Sequence, residues 1–156
     1  MNITLQPMSQ EIFENYYEQS IEEYAAEHVQ AGNWTEEEAI PNAQEQFKQL
    51  LPNGLDTLQH VLFSVQNEQK ESIGVLWIKI EDKTDERRAF IYDIKLHENQ
   101  RDKGYGRATM HALEEYAGQT GIKQIGLHVF AHNKRALALY EKLGYEVTDL
   151  VMKKRL

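Results

Sequence analysis

At 156 residues the chain is long enough for one well-filled core and short for two, so a single domain spanning 1–156 is expected. Its 41% hydrophobic and 27% charged residues describe a globular protein, and a net charge of −8 argues against nucleic acid or an anionic membrane as a partner. Cysteine is absent, which excludes disulfides, thiolate zinc sites and any acyl-cysteine intermediate. No apolar run approaches the ~20 residues of a membrane span. The start "MNITLQPMSQ" lacks the basic and apolar regions of a secretory signal, so a cytoplasmic location is expected.

"NITLQPM" alternates Ile3 and Leu5 with polar residues and reads as a first strand. Ser9 then caps a helix carrying Phe13, Tyr17, Ile21 and Tyr24 on one side and ending near Gly32. Thr35 with Glu38 three residues on has the capping-box pattern of a second helix, which runs to "LPNG" at 51–54, with Pro41 marking a kink or a restart. "HVLFSV" (60–65), "SIGVLWIKI" (72–80) and "AFIYDIKLH" (89–97) are rich in β-branched and aromatic residues and should form an antiparallel meander. In the last of these, strict alternation assigns Phe90, Tyr92, Ile94 and Leu96 to one face and Ile91, Asp93 and Lys95 to the other.

A glycine turn follows, and then a helix whose inner stripe is read as Ala108, Ala112, Leu113, Tyr116 and Ala117, ending at Gly121. "KQIGLHVF" (123–130) is the next strand, Asn133 caps a helix carrying Ala136, Leu139, Tyr140 and Leu143, and "YEVTDLVMKKRL" should close with one or two strands. The order β-α-α-β-β-β-α-β-α-β combines a meander with a strand-helix-strand crossover. It makes an α/β (α+β) domain with a mixed, mostly antiparallel sheet of six to seven strands flanked by about four helices.

Residues 101–106 set a run of backbone N–H groups at the start of a helix, where the dipole favours an anion. Gly104 and Gly106 let the main chain turn and a bulky anion approach, and Arg101, Lys103 and Arg107 add positive charge to an acidic chain. Phosphate binding and a plain strand-to-helix loop are both open on this turn alone. A Walker loop fails because Arg107-Ala108 follows Gly106, and the dinucleotide fingerprint fails at Thr109.

Arg101-x-x-Gly104-x-Gly106 resembles motif A of the GCN5-related N-acetyltransferase (GNAT) superfamily, and "NKRALALYEKLGYE" (133–146) resembles that family's later Asn-x-x-Ala-x-x-x-Tyr-x-x-x-Gly-Phe/Tyr segment. The resemblance extends along nearly the whole chain, with Asp102 where many members carry Gly and Glu98 where many carry Pro. It implies an acetyl-CoA-dependent N-acetyltransferase. The pyrophosphate would be held by Arg101, Asp102, Lys103, Gly104, Tyr105, Gly106 and Arg107, and the pantetheine by the backbone at Ile94, Lys95 and Leu96 with Asn133 and Ala136. Tyr140 is implied as general acid for the departing thiolate, although its place on an apolar stripe equally suits packing. Asp93 is the candidate base, or pairs with a neighbouring cation. Tyr16, Tyr24, His28 and Trp34 are candidates for lining the acceptor pocket, and His128 and His132 straddle a strand end and a loop, so no metal is expected. The acceptor would be a small-molecule or peptide amine, a homodimer is possible, and a CoA-binding regulatory module without transferase activity is the alternative.

Overall fold

The computed structural model describes residues 2–156, in two compact units that divide between Gly126 and Leu127. In the first unit the elements run β1 (Thr4–Pro7), α1 (Gln10–Gln30), α2 (Glu36–Leu50), β2 (His60–Gln66), β3 (Ser72–Asp82), β4 (Arg87–Leu96) and α3 (Tyr105–Thr120), with β5 (Ile122–Leu127) at its end. The second unit carries α4 (Lys134–Lys142). The five strands form one sheet in the order β1-β2-β3-β4-β5, and β1 through β4 pair antiparallel as the meander expected from the sequence.

Among the described residues, the expected count of six to seven strands is therefore corrected to five. The expected strand at 123–130 ends at Leu127, and residues 145–156 form no ladder within their own unit. Alternation in "YEVTDLVM" supplies only the side-chain half of a strand, because the backbone half needs an edge to pair with.

Helix starts follow their caps. Ser9 Oγ accepts from the Ile12 N–H, and Thr35 and Glu38 form the reciprocal capping box. Pro41 neither breaks nor restarts α2, which is one continuous helix. It deprives only the Glu37 carbonyl of its helical donor, and both residues are exposed, so water can supply the bond.

The sheet is buried on both faces. On one, Leu62, Val75 and Trp77 pack against Phe13, Tyr16, Ile21, Ala25, Ala39, Ala43 and Phe47 of α1 and α2. The other presents Phe63, Val65, Leu76 and Ile78, all buried, and Phe63 meets Tyr116 of α3 with ring centroids 5.1 Å apart. The buried stripe of α3 is Thr109, Met110, Leu113 and Ala117, shifted from the expected one. Met110 outweighs the alanines at 108 and 112, and the Thr109 hydroxyl enters the core because it donates to the Tyr105 carbonyl at 2.7 Å.

The ladder between β3 and β4 slips between Trp77 and Ile78. Trp77 pairs with Asp93 and Ile78 with Ile91, leaving Tyr92 as an extra residue in β4. Past this bulge the alternation inverts. Phe90, Tyr92, Asp93 and Lys95 share the α1/α2 face, while Ile91, Ile94 and Leu96 turn to the α3 face. The single-face assignments made for β4 from strict alternation are corrected accordingly.

Gly74 lets β3 approach the end of β4. A Cβ there would fall on the Lys95 backbone oxygen and lie 3.0 Å from Leu96 Cα. Gly74→Ala should therefore cost about 1–3 kcal/mol of stability and displace the backbone at Lys95 and Leu96. Chemical denaturation against wild type checks the first effect, and amide shifts at these residues check the second.

Candidate active site

Two features of the first unit converge on the end of β4. One is the bulge, which turns Asp93 toward α1. There Tyr16 Oη donates to Asp93 Oδ2 at 2.6 Å, and Lys95 Nζ reaches Glu23 Oε1 and Oε2 at 2.5 and 2.6 Å. Burial pushes the Asp93 carboxyl above the usual carboxylate range and Glu23 adds to the rise, while the Tyr16 hydrogen bond and Lys95 oppose it. Burial, then Asp93 itself, pushes the Tyr16 phenol well above its ordinary value, so Tyr16 stays a donor. A half-buried carboxyl raised in this way is more basic than an exposed aspartate, although the Tyr16 hydroxyl and the Ile94 N–H both favour its ionised form. The Lys95–Glu23 pair is largely exposed and ties α1 to β4 with little net energy.

The second feature is the turn into α3. The backbone needs positive φ at Asp102 (63°) and Gly104 (84°), and Gly104 occupies the N-cap position without a side chain to offer. The N–H groups of Tyr105, Gly106 and Arg107 stand in the first turn of the helix, where no intrahelical carbonyl can take them. Ala108 is the residue whose N–H first returns to the Gly104 carbonyl, at 3.1 Å. With the positive helix end and Lys103 and Arg107 beside it, this is a cradle suited to a phosphate. Asp102 occupies a left-handed position, a conformation that aspartate tolerates better than most residues. Arg101 does not point its whole side chain at the cradle: its Nε donates to the Leu96 carbonyl at 3.2 Å, pinning the turn to the end of β4.

Ladder phase decides which strand amides can serve a ligand. The His97 N–H donates to the Ile73 carbonyl at 2.8 Å, so by antiparallel alternation the Lys95 N–H also faces β3, whereas those of Ile94 and Leu96 point away from it. Of the three residues expected to hold pantetheine, Ile94 and Leu96 thus present their N–H groups away from β3, and Lys95 does not.

Among the aromatic candidates, only Tyr16 reaches Asp93. Tyr24 donates to Gln46 Oε1 at 2.6 Å, and His28 and Trp34 stack at 4.0 Å, so these rings largely fill one another's space. The alternation of the sequence gave no signal for a further group, His60–Trp77–Tyr92. Trp77 Nε1 donates to His60 Nδ1 at 2.9 Å and the Trp77 and Tyr92 rings lie 5.1 Å apart, both beside the bulge. Burial, then Lys79, holds His60 below its usual pKa and so in the neutral form that can accept from Trp77.

In the second unit, Asn133, Ala136 and Tyr140 come together on α4. Asn133 Oδ1 caps the helix by accepting from the Ala136 N–H at 3.3 Å, and Tyr140 lies 5.9 Å from the Tyr145 ring. His128 and His132 each pack against Phe130.

Removing the Tyr16 hydroxyl withdraws the donor that favours ionised Asp93. In Tyr16→Phe the carboxyl should titrate still higher, so the acid limb of the kcat/KM profile moves to higher pH, and stability falls by about 1–3 kcal/mol. A pH–rate series with a denaturation curve measures both, and an unmoved acid limb would remove Asp93 from the role of base.

Residues 11–145 match the model of the acetyltransferase (GNAT) family. The Bacillus subtilis protein YycN, named an uncharacterized N-acetyltransferase, is 43% identical over 156 residues covering all of both chains. A second B. subtilis protein with the same description, YdgE, is 36% identical over 100% of this chain and 99% of its own. The crystal structure of YycN superposes with a TM-score of 0.89 at 42% identity, covering 99% of each chain. With the family model matched over residues 11–145 and two relatives alike along essentially their whole length, the chain belongs to the GNAT acetyltransferase family.

Proposed function

We propose that the chain moves the acetyl group of acetyl-CoA directly to a primary amine within a ternary complex. The observation that carries this reading is the opening of α3, where Gly104 at φ 84° starts a helix whose first-turn amides have no intrahelical acceptor, flanked by Lys103 and Arg107. Residues Arg101 to Arg107 would hold the pyrophosphate, with Arg101 acting partly by fastening the turn to Leu96. The amides of Ile94 and Leu96 would hold pantetheine and polarise the thioester carbonyl, with Asn133 and Ala136 as further cofactor neighbours.

In the transfer, the amine nitrogen attacks the thioester carbon and its surplus proton passes to Asp93, directly or through water. As the C–S bond breaks, the thiolate takes a proton from Tyr140, which solvent restores. Phenols as a class, with a reference pKa of ~10, can supply a proton to a thiolate leaving group. The chain has no cysteine, so no acyl-cysteine can form and direct attack is the simplest route.

Thiol release from acetyl-CoA across an amine panel tests this. Tyr140→Phe should lower kcat by about 10²-fold or more while calorimetry finds CoA affinity retained. Gly106→Val, at a helical position free of the left-handed strain of Gly104, should weaken CoA binding by about tenfold or more with the fold kept. CoA binding without turnover on any amine would leave a regulatory module instead of an enzyme, and CoA affinity unchanged in Gly106→Val would move the pyrophosphate elsewhere.

A further inference from the structure

Beyond the bulge, toward the start of β4, the α1/α2 face of the sheet opens into a groove of about 360 Å³. Phe90 and Tyr92 are 42% and 38% exposed and meet edge to face at 5.6 Å. Lys79, Lys83, Arg88 and Glu81 also line it. Lys79 and Lys83 both hold Glu81, at 2.8 and 2.9 Å, and these contacts keep the Glu81 carboxyl at about 2. Arg88 touches Glu86 through one terminal nitrogen at 3.5 Å, and among the described residues its Nε has no hydrogen-bond partner. Counting Glu86, the partner of Arg88, three cations meet two carboxylates here, a local excess of one positive charge on a chain whose net charge is −8.

The patch is in line with Asp93. Lys79 pairs with Phe90 and lies two residues along β3 from Trp77, the partner of Asp93, a separation of ~7 Å at antiparallel rise; Glu81 and Arg88 lie ~14 Å away. Asp93 is not part of the groove lining, but the bulge sets it next to Tyr92 on the same face, so a ligand has to extend past the Tyr92 ring to reach the carboxyl.

We infer that this groove selects an acceptor that carries a carboxylate or phosphate as well as its amine, joined by a flat or flexible apolar body: the anion against Lys79, Lys83 and Arg88, the body on Phe90 and Tyr92, and the amine at Asp93. The inference rests on the transferase reading for the amine end only. A simple diamine finds no partner at the cationic end and meets repulsion there, whereas an ω-amino acid is matched at both ends. Lys79 and Lys83 are held in place by Glu81 before any ligand arrives, which reduces the ordering that binding requires.

The test compares 6-aminohexanoate, 6-aminohexyl phosphate and hexylamine, which share an amine and a chain and differ in the far end. Wild type should show a KM for an anionic probe about tenfold or more below that for hexylamine, shrinking with added salt, and whichever of carboxylate and phosphate is favoured identifies the anion. In a Lys79→Met/Lys83→Met/Arg88→Met variant that still binds CoA, the preference should collapse toward unity. Equal KM values in wild type, or a preference that survives the triple substitution, would overturn the inference. Amide shifts during titration of the CoA-bound protein with 6-aminohexanoate read the groove without turnover. Shifts at Lys79, Phe90 and Tyr92 support it even where no amine is acetylated and the transferase reading has failed, and their absence refutes it.

Discussion

One additional residue in β4 organises the functional half of the first unit. A strand has a side-chain period of two, so without the slip at Trp77/Ile78 either Tyr92 or Asp93 would face α3. The bulge puts both on the α1/α2 side, and returns Ile94 and Leu96 to the apolar side behind. The carboxyl thereby meets the Tyr16 hydroxyl at 2.6 Å in place of a hydrocarbon layer, where an ionisable group without a partner would be costly. The same residues that interrupt the ladder are those that a catalytic reading needs, in keeping with the frequent occurrence of bulges beside active sites.

The strand and the helix that follows act as one device. Gly74 permits β3 to lie close against Lys95 and Leu96, Arg101 reaches back to the Leu96 carbonyl, and two left-handed residues turn the chain into α3. Each acts on the course of the backbone. A ligand spanning the turn and the strand would be gripped mainly by main-chain donors, whose positions are fixed by the fold and lose little entropy on binding.

Charge is distributed against the chain's overall sign. On an acidic protein, basic side chains gather at the opening of α3 and across the β3–β4 face, and in both places they sit beside a defined chemical surface: first-turn amides in one, the rings of Phe90 and Tyr92 in the other. Local complementarity over a few ångströms outweighs a net charge that salt screens beyond about 8–10 Å.

Much was legible from local rules. Ser9, Thr35 with Glu38, Gly121 and Asn133 mark helix ends because capping involves neighbours within three or four residues, and the meander followed from its β-branched and aromatic runs. The glycine turn was equally readable, since positive φ and a helix start are encoded where they occur. The face assignments of β4 failed because a bulge depends on the partner strand, whose register no window of β4 contains. The same holds for Asp93 meeting Tyr16, 77 positions away, and for His60 meeting Trp77 across the β2–β3 ladder. Residues 145–156 carry an alternating pattern yet no strand within their unit, because pairing needs an edge as well as a pattern. The sequence by itself determined element types, caps, the phosphate-suited turn and the absence of thiol chemistry, all properties of residue type and short spacing. Only the tertiary structure decided which face each β4 side chain takes, which amides point away from β3, and which carboxyl is half-buried against a donor, because these follow from register between distant segments.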